Sequence, residues 1–241
     1  MAGALIEVDG LTKRFGGFTA LNRVSLHVRA GERFGLIGPN GSGKTTLINC
    51  VSGSLPADGG RILFDGRDIT ALPAHRRTRL GVVRSFQIPK PFTSMTLLEN
   101  LAIPLEYVGH AHSHGADVAS EAMDILSTIG LESKAHLKSA GLTQIEMRKL
   151  ELARAMAARP KLLISDEAMA GLSSAEVDDI LTILFRMNEG GITIIMIEHI
   201  MRAVMKFSQR LVVLVSGKKI ADGKPDAVIR DSEVEKAYLG Q

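Results

Sequence analysis

The stretch Gly38-Pro-Asn-Gly-Ser-Gly-Lys-Thr45 matches the phosphate-binding template G-x-x-x-x-G-K-[ST] at every fixed position. The apolar run at 33–37 before it predicts a buried strand, and residues 46–51 after it predict a helix. The template requires this order, because glycines allow backbone N–H groups to surround an anion at the start of a helix. We expect Lys44 to reach the terminal phosphates and Thr45 to offer its hydroxyl to Mg²⁺.

The composition is typical of a chain that buries a substantial core without crossing a membrane. Its 241 residues are 45% hydrophobic, and the longest apolar runs fall far short of the ~20 residues that span a bilayer. Residues 1–7 lack the basic start of a secretory signal, so we expect a cytoplasmic protein. Cys50 is the single cysteine and cannot form an internal disulfide, and we expect it to pack in the core.

The charge pattern argues against a nucleic-acid partner. The net charge is +3, and the basic residues are spread along the chain, with the densest group at 75–79. Aromatic residues make up 4% of the chain and none lies within that group, whereas nucleic-acid-binding surfaces combine basic and aromatic side chains. We therefore predict that residues 75–79 form a solvated helix face.

Alternating polar and apolar residues at 4–9 and 24–28 predict an antiparallel, hairpin-like sheet before the phosphate loop. The residues between them, 11–18, predict a loop with two exposed aromatic side chains, Phe15 and Phe18. Phe15 is suited to stack on a flat base, and the alternative is that it fills a hydrophobic gap.

The middle of the chain predicts a helical segment over 90–160. Thr96 followed by Glu99 is a capping-box pattern, which marks the start of a helix. Residues 116–129 and 143–158 continue with helical periodicity. A helical lobe between two β-containing segments follows from this pattern.

Three histidines, His110, His112 and His114, lie inside this segment at a spacing of two residues. That spacing can chelate a metal ion, but Asp117 is the only carboxylate nearby and no cysteine accompanies it. We expect these histidines to belong to a surface loop.

The carboxyl-terminal part alternates strands with helices, which predicts a mainly parallel sheet. The apolar strand at 161–167 closes on Asp166 and Glu167, and the strand at 192–197 is followed by His199. The remaining predictions are helices at 175–188 and 200–207 and strands at 211–215 and 218–221.

Polar side chains that follow these strands fit the chemistry of a bound polyphosphate. In a fold with a phosphate loop, a carboxylate such as Asp166 at a strand end holds Mg²⁺, usually through water. Glu167 can orient and deprotonate a water that attacks the γ-phosphate. We expect His199 to contact that phosphate and Gln87 to reach the metal ion or the water from the side.

Together these segments resemble the ATP-binding cassette (ABC) family over nearly the whole chain. The likeness assigns Phe15 as the A-loop aromatic, 38–45 as Walker A and Gln87 as the Q-loop. It assigns 162–167 as Walker B, 171–175 as the D-loop region and His199 as the switch histidine. It implies catalytic roles for Lys44, Gln87, Glu167 and His199, and Mg²⁺ binding by Thr45, Gln87 and Asp166. It implies ATP binding by Phe15, Gly38, Pro39, Asn40, Gly41, Ser42, Gly43, Lys44, Thr45 and Thr46.

The resemblance also implies an α/β fold in one nucleotide-binding domain over residues 1–241. Residues 1–89 and 161–241 would form a P-loop NTPase core with a mainly parallel sheet and an N-terminal antiparallel β-subdomain, and residues 90–160 an inserted helical subdomain. Two such domains would pair head to tail, with each ATP between one Walker A and the other domain's signature. Integral membrane permease subunits would dock near 87–106, at the inner face of the cell membrane, and a periplasmic or extracellular solute-binding protein would act indirectly.

Within the family, the chain looks most like the ATPase subunits of branched-chain amino acid importers. The segments that carry this likeness are 15–17, 84–87, 95–100, 198–205 and 235–240. Two alternatives stay open. One is the ATPase of a lipopolysaccharide or other exporter, and the other is a non-transport protein that uses ATP as a dimerisation switch.

The signature departs from the family pattern Leu-Ser-Gly-Gly-Gln, since its place is taken by Leu142, Thr143, Gln144, Ile145 and Glu146. Glycines there let N–H groups approach the opposing γ-phosphate, and we expect Gln144 and Ile145 to place side chains in that space and Glu146 a negative charge. This predicts a weakened composite site and a heterodimer with a partner whose signature is intact. Ala168 also stands where the family usually has proline after the catalytic glutamate.

Overall fold

The computed structural model describes residues 3–85, 90–109 and 118–239, which form two β-sheets and the helices around them. The strands are β1 (Ala4–Phe15), β2 (Phe18–Arg29), β3 (Arg33–Ile37), β4 (Gly59–Phe64), β5 (Arg67–Asp68), β6 (Val82–Ser85), β7 (Leu162–Asp166), β8 (Thr193–Ile197), β9 (Arg210–Val215) and β10 (Lys218–Gly223). The helices are α1 (Lys44–Ser52), α2 (Ala74–Leu80), α3 (Leu97–Gly109), α4 (Val118–Thr128), α5 (Gln144–Ala157), α6 (Ser174–Glu189), α7 (Met201–Phe207), α8 (Pro225–Val228) and α9 (Ser232–Leu239). Within these described ranges, no helix is long and apolar enough to cross a bilayer.

The first sheet is antiparallel, with the strand order β2-β1-β4-β5. The predicted hairpin is confirmed, but the predicted loop at 11–18 is wrong, because β1 continues to Phe15 and β2 begins at Phe18. Leu11 of β1 and Leu21 of β2 are buried in the core, which favours strand over loop at these positions. The turn between Phe15 and Phe18 is made by two glycines, and Gly16 has a φ of +57°, a conformation that two-residue hairpin turns commonly require.

The second sheet has the order β10-β9-β3-β8-β7-β6, and every neighbouring pair but β10–β9 is parallel. The predicted mainly parallel sheet is therefore confirmed. Its central strands are buried throughout, because the two faces pack on different cores. Leu163 faces a core shared with α3 to α6, whereas Leu162 and Ile164 face a core shared with the first sheet and α1. The carboxyl ends of β3, β7 and β8 consequently meet at one edge, where ligands bind in open parallel sheets.

The helices between β6 and β7 pack on one another through buried leucines such as Leu101, Leu126 and Leu150. The predicted capping box at the start of α3 is confirmed, because Thr96 N donates to Glu99 Oε2 at 2.7 Å and Glu99 N donates to Thr96 Oγ1 at 3.2 Å. The helices predicted after it appear as α4 to α7. His110, His112, His114 and Gln87 lie outside the described residues.

The basic group at 75–79 lies on α2, but the prediction that it forms a solvated face is wrong for Arg77, which is only 2% exposed. Its guanidinium donates to the carbonyl oxygens of Cys50, Val51, Leu72 and Thr70 at 2.7 to 2.9 Å. The first two carbonyls belong to the last turn of α1, where helix carbonyls lack intrahelical donors. Arg77 thus caps α1. The predicted core position of Cys50 is confirmed.

Candidate active site

The phosphate loop connects β3 to α1 through glycines that no other residue could replace without strain. A Cβ added to Gly38 would lie 2.1 Å from Leu214 O, and one added to Gly43 would lie 2.7 Å from Ala20 O. Gly43 has a φ of +103° and is the N-cap residue, directly before α1. The loop therefore holds its shape by close backbone contacts with the strands behind it.

Lys44 lies across this loop and donates from Nζ to Gly38 O at 2.6 Å and to Pro39 O at 3.1 Å. Burial lowers the pKa of Lys44, and the charges of Glu167 and Asp166 act in the opposite direction. Ser42 Oγ is also buried and lacks a hydrogen-bond partner among the described residues. A buried ammonium group and an unsatisfied hydroxyl at a helix N-terminus fit the binding of a phosphate group.

A cavity of about 270 Å³ opens at the loop and collects most of the predicted site residues. It is lined by Phe15, Phe18, Ala20, Asn40, Gly41, Ser42, Gly43, Lys44, Thr45, Thr46, Glu167 and His199. Phe15 and Phe18 are 50% and 63% exposed, respectively, so both rings have faces available to a ligand. Phe18 was not predicted as a site residue. The Gly16-Gly17 pair could have indicated it, because a hairpin turn at these glycines places Phe18 opposite Phe15.

Glu167 and His199 are brought together by the ends of β7 and β8. Glu167 directly follows β7, and its N–H donates to Ile197 O at 2.9 Å. The backbone there has a φ of +49°, which is strained for a residue with a Cβ and is frequent at functional sites. His199 Nε2 lies 2.9 Å from Glu167 Oε1, so the two side chains form a hydrogen-bonded pair at the edge of the cavity.

Asp166 ends β7 beside the cavity and is held by a residue that the sequence reasoning missed. Arg84 donates from Nη2 to Asp166 Oδ2 at 2.6 Å and from Nη1 to Asn49 Oδ1 at 2.6 Å. Both members of the Arg84–Asp166 pair are largely buried. No local pattern signals this contact, because the paired residues are 82 positions apart in the sequence.

The site offers oxygen ligands that suit Mg²⁺. Thr45 lines the cavity, and Asp166 lies close enough to Lys44 for its charge to raise the pKa of that residue. The described part of the chain contains no cluster of three or more Asp, Glu, His or Cys side chains that could hold a metal ion. This is compatible with Mg²⁺, which keeps several waters and binds through one or two protein oxygens together with substrate phosphates.

The signature residues lie away from this cavity, at the N-terminus of α5. Thr143 Oγ1 accepts from Glu146 N at 3.4 Å, and Thr143 N donates to Glu146 Oε2 at 3.0 Å, which together form a capping box. Glu146 also pairs with Lys134 Nζ at 2.5 Å. The hydrogen bond from Lys134, and then that from Thr143 N–H, hold the pKa of Glu146 below its usual range. Its negative charge is therefore present and is balanced within the chain.

The side chains that replace the signature glycines make contacts inside this chain. Gln144 Nε2 lies 3.4 Å from Ala170 O, and it would be 2.8 Å from a Cβ added to Gly171. Ile145 is half-buried and packs on the core of the helical segment. The expectation that both side chains extend into the space of an opposing phosphate stays a prediction, because that phosphate would be bound by another chain.

Comparison with known proteins identifies the family. The sequence profile of the family described as ABC transporter matches residues 21–170. The chain is 38% identical to the high-affinity branched-chain amino acid transport ATP-binding protein BraF of Pseudomonas aeruginosa, with 100% of both chains covered. It is 37% identical to the corresponding protein LivG of Escherichia coli K12, also with 100% of both covered.

Solved structures share the fold over nearly the whole chain. An ATP-binding cassette of an ABC transporter in its ADP conformation has a TM-score of 0.90 and 33% sequence identity, covering 99% of this chain and 100% of that chain. A nucleotide-free ATP-binding cassette from an ABC transporter has a TM-score of 0.89 with the same identity and coverage. The chain therefore belongs to the ABC transporter family, as one of its ATPases.

Proposed function

We propose that this chain binds and hydrolyses ATP to drive an importer of branched-chain or other hydrophobic amino acids. One observation carries the proposal: a single cavity brings together an aromatic pair, Lys44, Glu167 and His199. The substrate class is supported by the relatives BraF and LivG, which are 38% and 37% identical and are named as branched-chain amino acid transport proteins.

In this proposal each part of the cavity has a separate task. Phe15 and Phe18 stack on the adenine base, and Lys44 binds the terminal phosphates. Glu167 orients the attacking water and takes its proton, which is typically worth about 10² to 10⁴ in rate. His199 holds the Glu167 carboxylate at 2.9 Å and fixes its orientation. Thr45 and Asp166 would hold Mg²⁺, and the ion would supply positive charge that neutralises the phosphates.

We further propose that two cassettes pair with ATP between them and that closure and reopening of the dimer drive transport. The N–H groups of Gln144 and Ile145, the first two of α5, have no acceptor one turn earlier in the helix, whereas that of Glu146 donates to Thr143 Oγ1. The glycines are absent, however, and Glu146 adds a charge that Lys134 balances. A weakened site at this signature and a heterodimer with an intact partner signature follow.

The membrane partner in this proposal docks on the helical segment near 87–106. Phe92, Ile103 and Tyr107 are large apolar or aromatic side chains that are 42%, 37% and 40% exposed. Exposed apolar residues gathered on one segment are typical of an interaction surface. Docking there would place the chain at the inner face of the membrane, with a solute-binding protein acting through the permease subunits.

Uptake of radiolabelled leucine by cells that lack the gene tests the proposal. Wild-type protein and Glu189→Gln, which alters an exposed residue at the end of α6, should restore uptake, whereas Glu167→Gln should not. ATP turnover by Glu167→Gln at the wild-type rate would overturn the assigned site. Uptake that survives deletion would overturn the importer, and recovery of the chain from solubilised membranes without any integral membrane protein would favour a non-transport switch.

A further inference from the structure

The segment 168–170, directly after Glu167, is held by side chains that the proposed mechanism does not use. Ala168 and Met169 are 4% and 0% exposed, so this backbone runs through the interior. Ala168 does not restrict φ as a proline would. The path of the segment therefore depends on the groups that contact it, and the same path sets the position of Glu167.

Glu198 contacts this segment from the side of β8. Its Oε1 accepts the Met169 N–H at 2.9 Å, and the backbone N–H of His199 also donates to this carboxylate. The side chain is 3% exposed and is not among the described residues that line the cavity. Glu198 thus links the backbone of the loop after Glu167 to the residue that pairs with Glu167.

The helix α5 contacts the same segment from the other side. Arg148 Nη2 and Gln144 Nε2 each lie 3.4 Å from Ala170 O. These two residues are four positions apart and so share one face of the helix. Arg148 is 8% exposed. Burial lowers the pKa of Arg148, and the charge of Glu198 is the strongest of the effects that raise it again. A buried cation on α5 and a buried carboxylate after β8 therefore act on the same three residues.

We propose that Glu198 and Arg148 are positioning residues that hold segment 168–170 between them and thereby orient Glu167 and His199. The signature residues start the helix that carries Arg148, so a displacement of α5 moves Ala170 O and with it the catalytic pair. Gln144 adds a second donor from the signature itself. This inference rests on the proposed function, because it takes Glu167 as the group that activates water.

Amide hydrogen exchange in the purified full chain tests the contact without reference to turnover. Glu198→Ala removes the acceptor of the Met169 N–H, and Glu198→Gln keeps an acceptor at that place. We expect faster exchange at Met169 in Glu198→Ala, wild-type protection in Glu198→Gln, and unchanged exchange in β3 for both. Unchanged exchange at Met169 in Glu198→Ala would overturn the proposal.

Turnover in the co-purified membrane complex tests the positioning role. A catalytic group displaced by about 1 Å loses up to roughly 100-fold in rate, so we expect kcat to fall roughly 10- to 100-fold in Glu198→Ala and Arg148→Met. KM for ATP and the affinity for a fluorescent ATP analogue should stay within about twofold, and Glu198→Gln should retain most of kcat, because the nucleotide contacts are untouched. A matched control is Glu189→Ala, at an exposed position.

Three results separate the inference from the proposed function. Loss of turnover in Glu167→Gln together with wild-type kcat in both Glu198→Ala and Arg148→Met would overturn the inference alone. Equal losses in kcat and in nucleotide affinity would also overturn it, since they indicate general disruption. Wild-type turnover in Glu167→Gln would overturn the proposed function. If Glu198→Ala does not fold, Arg148→Met and Arg148→Lys provide the same comparison, with lysine expected to restore part of kcat.

Discussion

Arg84 Nη2 lies 2.6 Å from Asp166 Oδ2, so the carboxylate proposed to bind Mg²⁺ already has a cationic partner within the protein. The side chains of the pair are only 13% and 9% exposed. Removal of one member of such a buried pair leaves the other charge uncompensated. Arg84 therefore balances the charge of Asp166, and a Mg²⁺ ion bound as proposed would share that carboxylate with it.

Arg84→Met should destabilise the metal-free protein by about 3–5 kcal/mol, because it leaves a buried carboxylate without a partner. The loss should be smaller with ADP and Mg²⁺ than with ADP and EDTA, since the metal ion restores a positive charge beside Asp166. Thermal unfolding under both conditions measures this. Arg67→Met, which alters an exposed arginine of β5, is the control. Equal losses under both conditions would contradict the prediction.

Gly43→Ala should weaken nucleotide binding and lower the free energy of unfolding by roughly 1–3 kcal/mol. The added methyl group would lie 2.7 Å from Ala20 O, at a φ of +103° that disfavours any Cβ. Titration with ATP and denaturant unfolding measure the two effects. At Gly59, an added methyl group meets Thr12 Cβ at an ordinary 3.8 Å, so Gly59→Ala should change neither. A fully stable Gly43→Ala variant would show that the loop can relax.

Phe18→Ala and Phe15→Ala should each weaken ATP binding by about 10-fold, in the range found when a stacking aromatic is removed from a base. Inorganic tripolyphosphate lacks a base, so its affinity should be unchanged in both variants. Calorimetric titration with the two ligands distinguishes stacking from general damage to the cavity. Phe92→Ala alters an exposed ring outside the cavity and should affect neither ligand. A loss for tripolyphosphate equal to that for ATP would rule out stacking.

Glu198 should make stability depend on pH between about 4.5 and 7. Burial, reinforced by the charge of Glu167, raises the pKa of Glu198 from 4.5 to about 7. The hydrogen bonds from the N–H groups of Met169 and His199 lower this pKa and offset part of the rise. The folded state then binds a proton more readily than the unfolded state, so the free energy of unfolding falls as pH rises through this window. The full effect is about 3 kcal/mol.

Glu198→Gln removes this titration and keeps the shape of the side chain. The free energy of unfolding of Glu198→Gln, measured relative to that of the wild type, should therefore increase as pH rises from 5 to 8. Urea unfolding of both proteins at the two pH values measures the difference. The other groups near position 198, which are Glu167, His199 and Arg148, are present in both proteins and largely cancel. Parallel pH profiles would contradict the raised pKa.

The parts of the fold that local patterns determine were predictable from the sequence. The phosphate loop, the capping box at Thr96 and the strand that ends at Asp166 depend on residues within a few positions of one another. Arg77 and Arg84 were not predictable, because their carbonyl and carboxylate partners include groups 26 and 82 positions away. The contact of Gln144 with Ala170, which lies 26 positions further along the chain, was not predictable for the same reason.

The cavity draws its lining from both sheets of the molecule. Phe15 and Phe18 belong to β1 and β2 of the antiparallel sheet, whereas Lys44 and Glu167 follow β3 and β7 of the parallel sheet. A nucleotide that binds as proposed, with its base on the two rings and its phosphates at Lys44, would act as a removable cross-link between the sheets. Ligands that bind only the folded form add their binding free energy to its stability. The packing of the two sheets would thereby be stabilised by an amount that grows with the ratio of the free nucleotide concentration to its dissociation constant.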